Sequence, residues 1–320
     1  EALKSLKARL TKARTDAKSN KGAILNGLTA YARFGSNNPF NDVLKDEEIK
    51  NLDAAELVKT LHNLNQYPHD VIYYGPLQLT ALTAELKKFH KIPAAFTAAP
   101  PKAKFVPIVQ NSKQVLFADY NMVQAETRWI RNGSLFNANE EATVGMFNNY
   151  FGGGMGAVVF QTIRESKALA YSTFAVYVTP EKKEETYFTI AYVGSQADKL
   201  NEAVAAMNEL LNEIPEIESN IEFARSGIKK DIETERITQD GIIFNYLDAE
   251  KKGLTEDIRI KKYAAVDAIG YKELKEFHSK NLAGKDYTYA ILASENKIKM
   301  EDLEKLGAVK KLGLVEIFGY

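Results

Sequence analysis

The sequence contains no cysteine and no long apolar run, and each absence excludes a class of structure. Without cysteine, the chain can form neither a disulfide nor a thiolate metal site, and it has no cysteine nucleophile. No apolar stretch approaches the roughly 20 residues that a membrane-spanning helix needs, so no membrane partner is predicted. The compartment stays open, including a bacterial periplasm if a signal peptide precedes this segment.

An excess of charge of one sign is also missing, since 42 Lys and Arg residues balance 42 Asp and Glu residues. A nucleic-acid partner is therefore not predicted, because such partners are usually bound by a basic surface. A hydrophobic content of 45% and a length of 320 residues are typical of a globular chain with room for two domains.

Histidine is scarce, and the four that occur do not have the spacing of a catalytic zinc site. Such a site usually takes two His four positions apart on one helix face, or the inverted arrangement. His62 and His69 are separated by Pro68, which breaks a continuous helix, and His90 and His278 stand alone. We therefore predict that this chain binds no metal and cannot by itself hydrolyse peptides by a zinc mechanism.

Four stretches of the chain are similar to four later ones at an offset near 218 residues. The alternative is two unrelated helical hairpins, each followed by a strand. The repeat predicts that residues 1–92 are the C-terminal helical portion of an incomplete unit and that residues 105–320 are a complete second unit. Residues 93–104, with three prolines, would be an extended linker, and the chain would be part of a longer protein. The matched pairs are Lys21–Gly35 with Gln239–Gly253, Leu52–Leu57 with Ile269–Leu274, Asn63–Leu64 with Asn281–Leu282, and a strand at Val71–Gly75 with Tyr289–Ala293.

Periodicity within residues 105–320 predicts an α+β fold with a mostly antiparallel sheet and helices on one face. Asn139 is expected to cap the first helix of this unit, and Gly133–Ser134 to end the strand before it. The predicted strands are Gln114–Tyr120, Val123–Asn132, Ala170–Val178, Glu185–Gly194 and Tyr287–Ala293, and the predicted helices include one ending at Phe151, one over Ala157–Ser166 and one opened by Ser195 and Asp198.

The most specific pattern runs from Phe147 to Ser172. An apolar helix ends at Phe151, the glycines Gly152, Gly153 and Gly154 follow, a second helix begins, and Arg164 and Tyr171 stand seven positions apart. A glycine run after a helix is ordinarily a helix end and a tight turn, and it matches no phosphate-binding loop. A loop without side chains also lets a peptide backbone approach closely.

This pattern closely resembles the non-catalytic half of the pitrilysin/insulinase (peptidase M16) family of zinc metallopeptidases. The resemblance implies pitrilysin/LuxS-like two-layer units. It also implies that Arg164 and Tyr171 bind the substrate carbonyl oxygen and that Phe151, Gly152, Gly153 and Gly154 contact the substrate. Alternatively, Arg164 pairs with Glu165 and Tyr171 packs at a strand start. After the glycines the chain departs from the family pattern, at Gly156–Val159 and at Lys167–Ala168, where a basic residue and a glycine are usual.

The resemblance further implies the C-terminal substrate-binding half of a peptidase that cleaves peptides in a closed chamber. Zinc and its ligands would lie in an N-terminal catalytic half, on the same polypeptide or on a partner subunit. Two alternatives remain open at this point. One is a non-enzymatic peptide-binding or scaffold homologue, and the other is the non-catalytic subunit of a two-chain processing peptidase.

Overall fold

The computed structural model describes residues 1–320, which divide into two compact units. The first comprises Glu1–Thr15, Leu44–Lys104 and Ile237–Phe244, and the second comprises Asp16–Val43, Phe105–Arg236 and Asn245–Tyr320. None of the helices is long and apolar enough to cross a membrane. The α-helices are α1 (Ala2–Lys18), α2 (Lys21–Phe34), α3 (Asp46–Asn51), α4 (Ala54–Asn63), α5 (Leu79–Phe89), α6 (Glu141–Phe151), α7 (Leu200–Asn212), α8 (Glu218–Thr234), α9 (Gln239–Lys251), α10 (Ile258–Ala265), α11 (Tyr271–Asn281), α12 (Met300–Glu304) and α13 (Leu314–Phe318).

The second unit is built on one six-stranded sheet, in the order β3-β4-β2-β5-β1-β6. The pairs β3–β4, β4–β2 and β2–β5 are antiparallel, whereas β1 runs parallel to both β5 and β6. The predicted α+β class with a mostly antiparallel sheet is therefore confirmed. The strands are β1 (Gln114–Asp119), β2 (Gln124–Leu135), β3 (Ser172–Val178), β4 (Thr186–Gln196), β5 (Thr288–Ala293) and β6 (Ala308–Lys311).

Apolar side chains on both faces of this sheet are buried. In β1, Val115 and Phe117 belong to the larger core, which also contains apolar residues of α6, α7, α8 and α11. The alternate residues Leu116 and Ala118 belong to a second core with α2 and α13. The sequence prediction placed helices on one face only. It missed the second layer because α2 is separated from the sheet by some 80 residues of chain.

Local details differ from the sequence predictions where a tertiary contact decides them. β2 does not end at Gly133–Ser134 but continues to Leu135 after an irregularity in its register with β4. Asn139 does not cap α6; instead Asn137 caps the 3-10 turn Ala138–Glu140 that leads into the helix, and its side chain accepts a hydrogen bond from the Asn139 N–H. β6 was not predicted, because its short sequence has no strand-like alternation and it forms by pairing with β1.

The internal similarity holds for three of its four elements. α2 and α9 are each followed by a glycine with positive φ, Gly35 at 84° and Gly253 at 68°. α4 and α11 end before Leu64 and Leu282, which are 218 positions apart. Val71–Gly75 was predicted to be a strand, and this prediction is wrong, since no strand in residues 1–104 pairs with it. Residues 93–104 contain no helix or strand.

Candidate substrate-binding site

The site predicted from the sequence begins at the end of α6, where Phe151 belongs to the protein core. Its side chain is fully buried, its ring stacks on Phe147 at a centroid distance of 5.0 Å, and it packs edge-on against His278 at 5.6 Å. His278 is itself buried, and burial lowers its pKa, so the ring is neutral and donates from Nε2 to the Leu210 carbonyl oxygen. Phe151 therefore anchors the start of the glycine turn from inside the core.

Gly152 lies directly against the backbone of strand β3. A Cβ atom at this position would lie 2.2 Å from the carbonyl oxygen and 2.5 Å from the nitrogen of Ala175. The Gly152 carbonyl oxygen also accepts a hydrogen bond from the Ala175 N–H at 3.3 Å. The backbone that approaches Gly152 closely is thus the protein's own, which explains why only glycine fits here.

Asn148, one turn before the end of α6, completes this contact with β3. Its side-chain oxygen accepts from the Tyr177 N–H at 2.8 Å, and its side-chain nitrogen donates to the Tyr177 carbonyl oxygen at 3.0 Å. β3 is an edge strand of the sheet, so its outward N–H and C=O groups could pair with a strand of another molecule. Asn148 and Gly152 form hydrogen bonds with these groups instead. This role could not be predicted from the sequence, because nothing in the local sequence distinguishes Asn148 from Asn149.

The next two glycines differ from Gly152 in what surrounds them. Gly153 is exposed, and its N–H donates to the Asn148 carbonyl oxygen at 2.7 Å, where a Cβ would come within 2.8 Å. Gly154 is also exposed, and a Cβ there would meet nothing within 4 Å. Gly154 is therefore the glycine of this turn whose own surroundings leave room for a ligand.

Arg164 lies on a π-helix, Phe160–Ser166, where the sequence predicted an ordinary helix. Single π-helical turns are rare and occur often at functional sites. The Arg164 side chain is 45% exposed, and its Nε lies 3.8 Å from Glu165 Oε1, longer than a hydrogen bond. Its guanidinium lies over the Phe160 ring, 4.8 Å from the centroid. The pairing with Glu165 is present but loose, and an exposed pair of this kind stabilises by at most about 1 kcal/mol.

The connection from Arg164 to Tyr171 is fixed by backbone hydrogen bonds at both ends. The Lys167 and Leu169 N–H groups donate to the carbonyl oxygens of Thr162 and Ile163, each at 3.0 Å. Between them Ala168 adopts a φ of 51°, the left-handed region that favours glycine. The departure from the family pattern at Ala168 thus falls at a position where the backbone favours the usual glycine.

Tyr171 stands just before β3 and is 55% exposed. Its N–H donates to the Gly194 carbonyl oxygen at 2.9 Å, and its phenol oxygen accepts a hydrogen bond from Gln196 Nε2 at 3.0 Å. Since the oxygen accepts from Gln196, its own O–H remains available to donate. Tyr171 also lines an open pocket of about 710 Å³, together with Lys21, Met122, Val123, Gln124, Gln196, Ala197, Asp198 and Lys297.

A buried polar cluster supports the wall of this pocket. Glu126 is buried, accepts from the Tyr192 O–H and pairs with the Lys21 ammonium. Burial, reinforced by the neighbouring Glu126 carboxylate, raises the pKa of Tyr192, so its phenol stays protonated and donates. Lys21, which lines the pocket, is therefore held in place by its ion pair with the buried Glu126.

No site for zinc is formed within the chain. No three His, Cys, Asp or Glu side chains converge where they could hold a metal ion. Two histidines of the first unit, His69 and His90, lie together with their Nε2 atoms 2.6 Å apart, but no third metal-binding side chain joins them. A catalytic zinc site takes three protein ligands, so the side chains present do not fit the metal that the family resemblance implies.

The chain is similar to known proteins in sequence over part of its length and in fold over most of it. Residues 70–225 match the family model of the peptidase M16 inactive domain, a range that contains the glycine turn, Arg164 and Tyr171. No curated protein is similar enough in sequence to count as a match.

Three solved structures share the fold at low sequence identity. The peptidase M16 inactive domain from Pseudomonas fluorescens has a TM-score of 0.68 and 15% identity, over 93% of this chain and 72% of that chain. The ferredoxin protease FusC, solved in complex with Arabidopsis ferredoxin, has a TM-score of 0.68 and 14% identity, over 92% of this chain and 32% of that chain. Pitrilysin has a TM-score of 0.63 and 10% identity, over 98% of this chain and 34% of that chain.

The chain therefore spans about a third of the two proteases and most of an isolated inactive domain. The family model and the shared fold agree with the motif that the sequence carries between Phe147 and Ser172. Residues 70–225 are therefore similar to the inactive domain of the pitrilysin/insulinase (peptidase M16) family, and the chain as a whole has the fold of an M16 inactive domain.

Proposed function

We propose that this chain is the substrate-binding C-terminal half of a zinc metallopeptidase, and that Arg164 and Tyr171 bind the carbonyl oxygen of the peptide bond to be cleaved. The observation that carries the proposal is that both side chains keep donors free. Arg164 makes one loose ion pair, and the Tyr171 oxygen accepts one hydrogen bond from Gln196 without using its own O–H.

Peptide hydrolysis places negative charge on the carbonyl oxygen in the transition state. Hydrogen-bond donors that already point at this oxygen, and that do not act as bases, stabilise the charge. A guanidinium offers several N–H donors in a fixed plane, and a phenol offers one O–H. Backbone hydrogen bonds at Lys167, Leu169 and Tyr171 hold the segment that connects the two residues, so its backbone is ordered before a substrate binds.

The zinc that hydrolyses the peptide, and the ligands and general base that go with it, would come from an N-terminal catalytic half. This half is the proposed partner, either on the same polypeptide or as a separate subunit. Residues 1–92 would then be the helical portion of a unit that other sequence completes. Several of its apolar side chains are exposed in this chain, including Leu61, Leu79 and Phe89 at 63%, 77% and 83%.

The test is peptide hydrolysis by the protein that contains both halves, with Arg164→Ala and Tyr171→Phe compared with the wild type. Each substitution removes a donor from the transition state, so we expect kcat to fall by about 100-fold with a smaller change in KM. Glu165→Gln is the matched control, because it removes only the loose partner of Arg164 and should leave turnover nearly unchanged.

Two outcomes would contradict the proposal. If the wild type cleaves peptides and both variants cleave at the same rate, Arg164 and Tyr171 do not bind the reacting carbonyl. If the complete protein binds peptides but holds no zinc and cleaves nothing, the non-enzymatic alternative replaces the peptidase. Circular dichroism of each variant checks that a loss of activity does not reflect a loss of fold.

A further inference from the structure

Two large apolar side chains lie exposed next to the glycine turn. Met155 follows Gly154 directly and is 74% exposed, and Phe223 on α8 is 63% exposed. The core-facing side of α8 is formed by other residues, Ile221, Ala224 and Ile228, which are buried. Phe223 is therefore on the outside of its helix without contributing to the core.

Phe223 is placed against the turn by close contact. A Cβ atom on Gly156 would lie 2.9 Å from Phe223 Cε1, so the ring packs against the backbone of Gly156. From α8 the Asn220 side chain donates to the Gly156 carbonyl oxygen at 3.0 Å, and from the π-helix the Gln161 side chain donates to the Met155 carbonyl oxygen at 2.6 Å. The turn that carries Met155 is thus held from two sides.

The backbone beside this apolar pair is open. The Gly154 carbonyl oxygen accepts from the Ala157 N–H at 3.0 Å, whereas the Gly154 N–H donates to no group of the protein. The space around Gly154 is empty to 4 Å on the side where a Cβ would point. An extended peptide could accept a hydrogen bond from this N–H and lay its neighbouring side chain on Met155 and Phe223.

We infer that Met155 and Phe223 form a subsite for one large apolar side chain, such as Leu or Phe, of the peptide substrate. The inference rests on the proposed function and adds to it the class of residue that the substrate carries beside the Gly154 contact. A single side chain is the occupant that fits, because the patch is only two residues wide and its neighbours Asn220 and Gln161 are polar. A stable protein partner would bury about 800 Å² on each side, far more than these two side chains offer.

The test uses this chain labelled with ¹³C at the methionine methyl groups, which gives five signals. The probes are two blocked heptapeptides, Ser-Gly-Ser-Leu-Ser-Gly-Ser and the same peptide with Ser at the centre. Met155 should shift and saturate with the Leu peptide at a Kd about tenfold or more below that of the Ser peptide, as expected for burial of a leucine side chain. Met146 and Met207, which are buried in the core, serve as internal references, whereas Met122, which lines the pocket at Tyr171, reports on binding there.

The variant Phe223→Ala should abolish most of the preference for the Leu peptide and leave the Met146 and Met207 signals in place. Ile260→Ala is the matched control, because Ile260 is exposed to a similar extent, 61%, on α10 of the same unit. This control should bind both peptides as the wild type does. An unresponsive Met155, equal affinity for both peptides, or an unchanged preference in Phe223→Ala would each overturn the subsite.

The two proposals can fail separately. If the peptides shift Met122 but not Met155, the apolar subsite is wrong while binding near Tyr171 stands. If Met155 and Phe223 bind the Leu peptide but Arg164→Ala leaves peptide hydrolysis unchanged, the subsite is right and the role of Arg164 is wrong.

Discussion

Gly152 and Gly154 stand two positions apart in one turn, and the structure predicts opposite results for the same substitution at each. In Gly152→Ala the new methyl group would lie 2.2 Å and 2.5 Å from backbone atoms of Ala175, which a side-chain rotation cannot relieve. The φ of Gly152 is −151°, so the cause is this close approach and not a left-handed backbone.

The expected loss of unfolding free energy for Gly152→Ala is about 2–4 kcal/mol. Overpacking in a well-packed site typically costs about 1–3 kcal/mol, and separating the turn from β3 also loses the hydrogen bond between Ala175 and Gly152, about 1 kcal/mol. Gly154→Ala should be neutral or stabilise by up to about 1 kcal/mol, because its Cβ meets nothing and alanine restricts the unfolded chain.

Urea unfolding followed by tryptophan fluorescence measures both variants in the second unit. The chain has one tryptophan, Trp129, which is fully buried in β2. Equal stabilities for Gly152→Ala and the wild type would refute the argument that β3 requires glycine at this position. A loss at Gly154 larger than at Gly152 would refute it as well.

Three further predictions concern the same region. Ala168→Gly should stabilise the fold by about 0.5–1 kcal/mol, because relief of the left-handed strain outweighs the added freedom of the unfolded chain. Ala205→Gly, on the exposed side of α7, is the control and should destabilise the fold by about 1 kcal/mol in the same urea assay. Asn148→Ala should lose about 1–3 kcal/mol and promote self-association through the freed edge of β3, measured by sedimentation at several concentrations. Burial lowers the pKa of His278 in the folded state below its unfolded value near 6.5. Below pH 6.5 the unfolded chain therefore binds a proton that the folded chain does not, and the free energy of unfolding should fall by up to about 1.4 kcal/mol per pH unit. His278→Gln keeps a donor for the Leu210 carbonyl, and its stability should depend less on pH below 6.5 than that of the wild type.

The parts of the fold that the sequence predicted are those decided by local pattern. The observed bounds of β1, β3, β4 and β5 differ from the predicted ones by at most two residues, because each has a run of strand-forming residues bounded by polar or turn residues. The position of α2 on the second face of the sheet and the strand β6 at its edge were not predicted, because each depends on contacts with residues far away in the chain. Val71–Gly75 shows the converse, since strand-like composition gave no strand where the chain offers no partner strand.

The candidate site divides in the same way. The motif singled out Arg164 and Tyr171, and the structure places both on the surface, but the motif did not predict that Arg164 would lie on a π-helix. The role of Asn148 at the edge of β3 and the packing of Phe223 on Gly156 each join residues that are tens of positions apart. No spacing within one segment could have predicted these contacts.

The glycine turn therefore divides along its length into a part that the fold requires to be glycine and a part that it does not. Gly152 is required because β3 lies against it, and Gly153 lies close to the carbonyl oxygen that ends α6. Gly154 has no such neighbour, and its N–H is unused. Packing within the protein therefore does not explain a glycine at position 154, whereas the close approach of a bound peptide would explain it. For this reason the search for bound peptide should begin at Gly154 and Met155 and not at the buried Phe151.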